Sequence, residues 1–217
     1  FVYIDDIIIF GKDEKSHAEN IKKVFQTLES ANMKIQLDKC SFFKQEVEFL
    51  GFIVSRDGIK TNPKKVEAIL NFPIPKTLKE LRSFLGLSGY YRRFVRGYAD
   101  VAKPLTSLLR GEEGRIPKTA SSQIPVTLDV SAVEAFNELR NALVSNDVIL
   151  AYPDFREDFD QTTDASSVAL GAVLSQKGRP IAFISRTLDE TEEHYATNEG
   201  EMLAIIWALT TLRNYLY

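Results

Sequence analysis

The chain has 217 residues, is 44% hydrophobic, 26% charged and 11% aromatic, and carries a net charge of −3. That length allows one large domain or two smaller ones, at about 100–200 residues each, and the composition excludes disordered and fibrous classes. The single cysteine, Cys40, rules out an internal disulfide and fits a reducing, intracellular compartment; no apolar run is long enough to span a membrane, and no basic leader marks a secretory signal.

The charge is unevenly spread. Residues 1–59 hold eight basic and ten acidic side chains, residues 60–110 eleven and three, and residues 111–217 eight and seventeen. A basic middle between acidic ends suits a phosphate-tracking segment beside carboxylate sites. A solvated basic helical face is the plainer alternative.

Phe1–Phe10 sets β-formers on both sides of Asp5-Asp6 and reads as a hairpin of two buried strands with the acids at its tip. Adjacent carboxylates repel unless a cation lies between them, and Mg²⁺ is a hard ion that takes oxygen ligands. A solvated turn remains open on these residues alone. Ser16-His17-Ala18-Glu19 reads as a capping box before a helix carrying Ile21, Val24, Phe25 and Leu28. Residues 33–39 and 46–54 read as strands, the second interrupted by Gly51, a mark of a bulge or close backbone approach. Arg56-Asp57-Gly58 reads as a turn.

Asn62-Pro63 starts a helix with Val66, Ile69 and Leu70 on its apolar face. Thr77–Glu80 is a second capping box, opening a helix with Leu78, Leu81, Leu85 and Ser88 on one face. Gly86 and Gly89 would let a neighbour approach it. Tyr90-Tyr91-Arg92-Arg93-Phe94 interleaves aromatic and cationic side chains, as a nucleic-acid backbone contact or as a core-filling helix end. Pro104 is expected to open a helix over 105–110. Residues 111–130 lose periodicity and read as a partly mobile linker. Ser131–Glu134 then caps a helix with Val133, Phe136, Leu139 and Leu143 on one side. Strands are expected at Val148–Tyr152, Phe159–Asp164, Val168–Ser175 and Pro180–Ser185, with a Lys177-Gly178 turn between the last two. A closing helix carries Met202, Ile205, Ile206, Leu209, Leu212 and Leu216 at helical spacing.

Three stretches resemble one family. Tyr3-Ile4-Asp5-Asp6 resembles the Tyr-x-Asp-Asp hairpin of reverse transcriptases. The run Leu78-Lys-Glu-Leu-Arg-Ser-Phe-Leu-Gly-Leu-Ser-Gly-Tyr-Tyr-Arg-Arg-Phe-Val95, with Lys103-Pro-Leu-Thr-Ser-Leu-Leu109, resembles the thumb of Gypsy-type LTR-retrotransposon Pol polyproteins. Thr163-Asp164-Ala165-Ser166 and Glu201-Met202-Leu203-Ala204 resemble the first two metal-binding positions of ribonuclease H. Glu201 also fits a capping box with Asn198.

The resemblance implies an α+β chain: part of a polymerase palm at 1–60 and a helical thumb at 61–111, then a linker and connecting helix at 112–146. The first half of a ribonuclease H-like α/β domain would follow at 147–217. It implies metal-binding, catalytic roles for Asp5 and Asp6 at one site and for Asp164 and Glu201 at another, each with two Mg²⁺ or Mn²⁺ ions about 4 Å apart. Tyr3 and the Leu50-Gly51-Phe52 step would form the hairpin and primer grip, Arg92 and Arg93 would contact nucleic acid, and Lys39 would be either a general acid toward pyrophosphate or, as the plainer reading, an ordinary surface lysine. The implied partners are an RNA template, a DNA primer strand, an RNA–DNA hybrid and deoxynucleoside triphosphates, in a cytoplasmic particle or the nucleus and without a membrane. A non-catalytic nucleic-acid-binding remnant is the alternative. The chain lacks an initiator Met, and the family's further site aspartates are not within it, so it is read as a fragment inactive by itself.

Overall fold

A computed structural model describes residues 1–111, 114–115, 124–144 and 148–217. These form two compact units, Phe1–Arg56 and Asp57–Tyr217.

In the first unit, β1 (Val2–Tyr3) and β2 (Asp6–Ile7) pair antiparallel, with Tyr3 opposite Asp6. The two strands are exposed rather than buried, because nothing in this unit packs over them; no residue of 1–56 is fully buried. Helix α1 (Glu14–Ser30) begins three residues earlier than a Ser16 cap would place it. Its cap is Asp13, whose Oδ1 accepts the Ser16 N–H at 2.7 Å while Ser16 Oγ accepts the Asp13 N–H at 3.1 Å. His17 packs edge-on against Phe43, and Phe25 against Phe42.

Residues 33–39 form no strand. They end in a 3₁₀ turn, Leu37–Lys39, where Gln36 Nε2 donates to Asp38 at 3.1 Å. Such local side-chain bonding competes with a sheet ladder. Residues 46–54 form a hairpin rather than one strand: β3 (Glu46–Phe49) pairs with β4 (Phe52–Ser55). Its turn residues Leu50 and Gly51 both have positive φ, 47° and 72°, the two-residue turn that matches strand twist. Gly51 thus serves a tight reversal and not a bulge.

The second unit begins with β5 (Gly58–Thr61). Its Ile59 exchanges two backbone hydrogen bonds, 2.9 and 2.8 Å, with Leu150, so 148–152 is a single bridge and not the expected strand. Gly58 has φ 138°, and a Cβ there would lie 2.2 Å from the Leu150 carbonyl oxygen, which only glycine tolerates. Helix α2 (Pro63–Leu70) is capped by Asn62, and α3 (Leu78–Tyr90) by the Thr77/Glu80 box. Gly89 faces the Tyr98 hydroxyl, but Gly86 faces open space. Helix α4 (Tyr98–Ser107) contains Pro104 instead of starting at it, because Gly97, at φ 66°, already turns the chain into the helix. A short ribbon pairs β6 (Arg110–Gly111) with β7 (Gly114–Arg115). The linker expected over 111–130 lies mostly outside the described residues. Its described end returns to α3, with Val126 N–H donating to Lys76 O and Leu78 N–H to Ile124 O.

Helix α5 (Val130–Val144) is capped by Asp129, not Ser131: Asp129 Oδ1 accepts from the Ala132 N–H and the Ser131 hydroxyl. It buries Phe136, Leu139 and Leu143 against α2, α3 and α4. At the centre Phe84 meets Phe136 with ring centroids 4.4 Å apart and Phe72 at 5.5 Å. Truncating a fully buried Phe in such a core typically costs about 3–5 kcal/mol.

An antiparallel sheet, ordered β10–β9–β8, joins this helical core; its strands are β8 (Asp160–Ala165), β9 (Ala169–Gln176) and β10 (Arg179–Thr187). Lys177 and Gly178 make its tight turn, φ 50° and 74°. Ladder register shifts at Pro180, which has no N–H to give, and the Pro180 carbonyl accepts from Ala151 N–H instead.

Helix α6 (Thr197–Thr211) lies on β8 and β9, and a short α7 (Arg213–Leu216) follows. Its buried residues are Ala204 and Ala208, continued by Leu212, while Met202 and Ile206 are 61% and 60% exposed. The expected apolar stripe is therefore outward except at Leu212 and at Leu216, which packs against the Leu174–Ile181–Leu212 cluster. A helix apolar all round has no single stripe to choose by, and small side chains let it lie close on the sheet.

Arg186 and Glu192 fasten β10 to the following turn by two hydrogen bonds of 2.5 and 2.8 Å, with the guanidinium over Trp207. Hydrogen bonding from Arg186 holds the Glu192 carboxyl down to about 2, from an ordinary 4.5. The depressed value means the pair stabilises fully above pH about 4.5 and is lost as pH falls toward 2. The chain's urea midpoint should therefore fall more between pH 5 and pH 2.5 than that of Glu192→Gln; equal falls would remove the pair's role.

Candidate active site

The first candidate centre is the β1–β2 turn. Ile4 and Asp5 occupy the reversal and Asp6 already lies in β2. Ile4 has φ 51°, a left-handed backbone that a β-branched residue adopts at a cost. Backbone strain of this kind concentrates at functional sites. Among the described residues neither Asp5 nor Asp6 has a side-chain hydrogen bond or ion pair, and both are exposed. Tyr3 is half-exposed beside them. The Leu50-Gly51-Phe52 turn carries a second strained residue, Leu50. Lys39 is exposed at the end of its 3₁₀ turn.

The second centre lies at the end of β8. Asp164 sits opposite Gly171 of β9 and is exposed. Gly200 of α6 faces Ala165, where a Cβ would make an ordinary 3.7 Å contact with the Ala165 Cβ. Helix α6, which carries Glu201, packs on β8, whose penultimate residue is Asp164. The cap of α6 uses Glu199, whose Oε2 accepts the Ala196 N–H at 2.9 Å. Glu201 is thus not consumed by a capping box, and among the described residues it and Asp164 have no hydrogen-bond or ion-pair partner.

Unpaired carboxylates are the right donors for Mg²⁺ or Mn²⁺. No group of three or more His, Cys, Asp or Glu side chains able to hold an ion occurs among the described residues. Each pair has the donor chemistry a hard cation would take and would by itself fill only part of its coordination shell.

The expected nucleic-acid contacts divide. Arg92 donates to the Ser185 carbonyl of β10 and lies 5.4 Å from the Tyr98 ring centroid. It ties the segment between α3 and α4 to the sheet. The Arg93 Nε is buried and makes no hydrogen bond among the described residues. Further contacts join α4 to the sheet: Ala99 N–H to Ser185 Oγ at 3.0 Å, Ser166 Oγ to Asp100 at 2.5 Å, and Lys103 to Glu193 at 2.7 Å. Sequence reasoning gave Asp100, Lys103 and Ser185 no role. The signal was absent, since their partners lie 66–90 positions away.

An exposed acid pair at a hairpin turn, and an acid near the end of a sheet strand on which a helix packs, occur in a mixed helix-and-sheet fold of the reverse transcriptase–ribonuclease H class. The family described as reverse transcriptase (RNA-dependent DNA polymerase) matches residues 1–54, and the RNase H-like domain found in reverse transcriptase matches 129–217. The chain is 52% identical, over all 217 residues, to the retrovirus-related Pol polyprotein from transposon gypsy of Drosophila melanogaster, covering 21% of that protein. It is 53% identical to that of transposon opus of the same fly, covering 22%, and 34% identical to the transposon Tf2-3 polyprotein of Schizosaccharomyces pombe, covering 16%. A foamy viral protease–reverse transcriptase dRH in complex with dsDNA aligns with 99% of the chain and 37% of its own, at TM-score 0.86 and 27% identity. The same viral enzyme in complex with an RNA/DNA hybrid aligns at TM-score 0.85. Over its whole length the chain is similar to the reverse transcriptase–ribonuclease H region of gypsy-type retrotransposon Pol polyproteins, and it spans about a fifth of the length of the two fly relatives.

Proposed function

We propose that this chain forms palm, thumb and ribonuclease H-like parts of an enzyme that copies RNA into DNA and cleaves the RNA of RNA–DNA hybrids. The boundaries are those expected from sequence: palm to residue 60, thumb 61–111, linker and connecting helix 112–146, ribonuclease H-like domain from 147. The observation that carries the reading is the occurrence of two separate pairs of unpaired carboxylates, Asp5/Asp6 and Asp164/Glu201, in a chain alignable end to end with gypsy-type Pol proteins.

Asp5 and Asp6 would hold the divalent ions of synthesis, Asp5 as the firmer ligand, and Asp164 and Glu201 those of hydrolysis. When bound, two divalent ions per site lower the pKa of the attacking hydroxyl or water and neutralise charge on the leaving oxygen. The chain's own groups do the positioning. Tyr3 flanks the hairpin acids, and the Leu50-Gly51-Phe52 turn offers backbone to the primer strand. Lys39 supplies a proton toward the departing pyrophosphate. Arg93, and the Arg92 donors not used by Ser185, meet phosphates, since a guanidinium has five. The partners are an RNA template, a DNA primer, their hybrid and deoxynucleoside triphosphates, in a cytoplasmic particle or the nucleus. Among the described residues no helix is long and apolar enough to cross a membrane.

The test uses the full-length protein containing this chain. With a primed RNA template and Mg²⁺ it should extend the primer and shorten the RNA, and excess EDTA should abolish both. A second reading, a non-catalytic nucleic-acid-binding remnant, is favoured by the absence of a three-carboxylate group among the described residues. Salt-sensitive hybrid binding without either reaction would select it.

A further inference from the structure

The thumb and the ribonuclease H-like sheet share a small cleft. Arg96, Gly97 and Asp100 line one side, and Thr162, Asp164 and Ser166 line the other. Its volume is about 180 Å³ and it opens to solvent, which is room for a tetrahedral anion with its hydration.

The charges in the cleft have different duties. Asp100 accepts the Ser166 hydroxyl at 2.5 Å, and Ser166 itself closes the β8–β9 turn by accepting the Val168 and Ala169 N–H groups. Asp100 is thus engaged in holding α4 to that turn. Arg96 is exposed, and among the described residues its guanidinium has no ion pair and no hydrogen bond. The left-handed Gly97 immediately after it fixes where the chain enters α4, and α4 is itself fastened to β10 through Ala99 and Ser185. A cation is therefore held on a braced backbone in the same cleft as Asp164, and among the described residues no carboxylate forms an ion pair with it. A planar guanidinium matches the non-bridging oxygens of a phosphodiester in two-point fashion.

We propose that Arg96 is a phosphate-binding residue of the second centre, seating a backbone phosphate of the hybrid strand to be cut beside Asp164. The thumb then contributes directly to substrate binding by the ribonuclease H-like domain. This rests on the nuclease reading above, and the controls separate the two.

The experiment measures hybrid cleavage by the full-length protein carrying Arg96→Ala, Arg96→Lys or Asp164→Asn. Primer extension on the same preparations reports folding. Losing one charge-assisted phosphate contact should raise KM about tenfold while leaving kcat within about twofold. It should also lower the slope of log affinity against log salt by about one. Arg96→Lys, which keeps the charge, should restore the slope and part of KM. If Arg96→Ala leaves KM and slope unchanged while Asp164→Asn abolishes cleavage, the Arg96 assignment is overturned and the nuclease reading stands. If Asp164→Asn still cleaves, the nuclease reading falls and this one with it. A loss of primer extension in Arg96→Ala that Arg96→Lys does not share would make Arg96 structural and overturn the assignment.

Discussion

Asp5→Asn in the full-length protein should reduce the rate of DNA synthesis by about a thousandfold and leave hybrid cleavage unchanged. The substitution keeps the shape of the side chain and removes its charge. Asp5 is exposed and has no internal partner among the described residues, so folding should shift by no more than about 0.5 kcal/mol. A lost carboxylate ligand costs the transition state several kcal/mol of charge neutralisation, and about 4 kcal/mol is about a thousandfold in rate. Asp6, already within β2, should matter less when replaced by Asn. Primer extension and RNA cleavage measured on one preparation decide the matter. The two acid pairs lie in different compact units, Phe1–Arg56 and Asp57–Tyr217. Loss of both reactions would therefore indicate misfolding, and retention of synthesis would remove Asp5 from the catalytic centre.

Helices were legible in this sequence where a cap and a stripe agreed. Asn62-Pro63 and Thr77/Glu80 set α2 and α3 where the structure has them, because both caps are satisfied by local atoms alone. Caps failed where a better acceptor stood just upstream: Asp13 displaced Ser16, and Asp129 displaced Ser131. Asp and Ser are near-equal caps, so the pattern could not rank them. Residues 33–39 had strand composition, yet Gln36 and Asp38 bond each other locally and a turn results. The face of α6 was misread for a different reason. Met202, Ile205 and Ile206 dominate any reckoning of apolar bulk, but Gly200, Ala204 and Ala208 touch the sheet. Close packing is decided by the absence of side chain, which hydrophobic periodicity does not register.

The candidate sites were legible as motifs and not as places. Asp5-Asp6 and Asp164 stand out because acids interrupt or end apolar strands, a local signal. Glu201 gained its interest from resemblance, and only the Glu199–Ala196 bond shows that it is not spent on a cap. Arg92 was legible as a cation but not as one bonded to Ser185, 93 positions away. Arg96 was one of eleven basic residues in the 60–110 segment and nothing singled it out. It becomes noticeable only when α4 docks on the sheet and brings it into the cleft with Asp164.

Asp164→Asn and Glu201→Gln should each lower hybrid cleavage by about a thousandfold, and the double variant should be little worse than either single one. Groups that serve one bound ion act as a unit, so removing the second costs little after the first has gone. The packing of α6 on β8 is the physical reason to expect this coupling, since the helix bearing Glu201 lies on the strand bearing Asp164. Primer extension should be unaffected by all three variants. Single-turnover cleavage of a labelled hybrid under saturating Mg²⁺ gives the cycle. A double variant slowed about a millionfold would mean two independent contributions, and Asp164 and Glu201 would then not share a centre. Widening that contact offers an independent check: Gly200→Leu places bulk between helix and strand, and should weaken cleavage in the way either acid substitution does while both carboxylates remain. If Gly200→Leu folds, extends primers and still cleaves at the original rate, the closeness of α6 to β8 has no part in the chemistry.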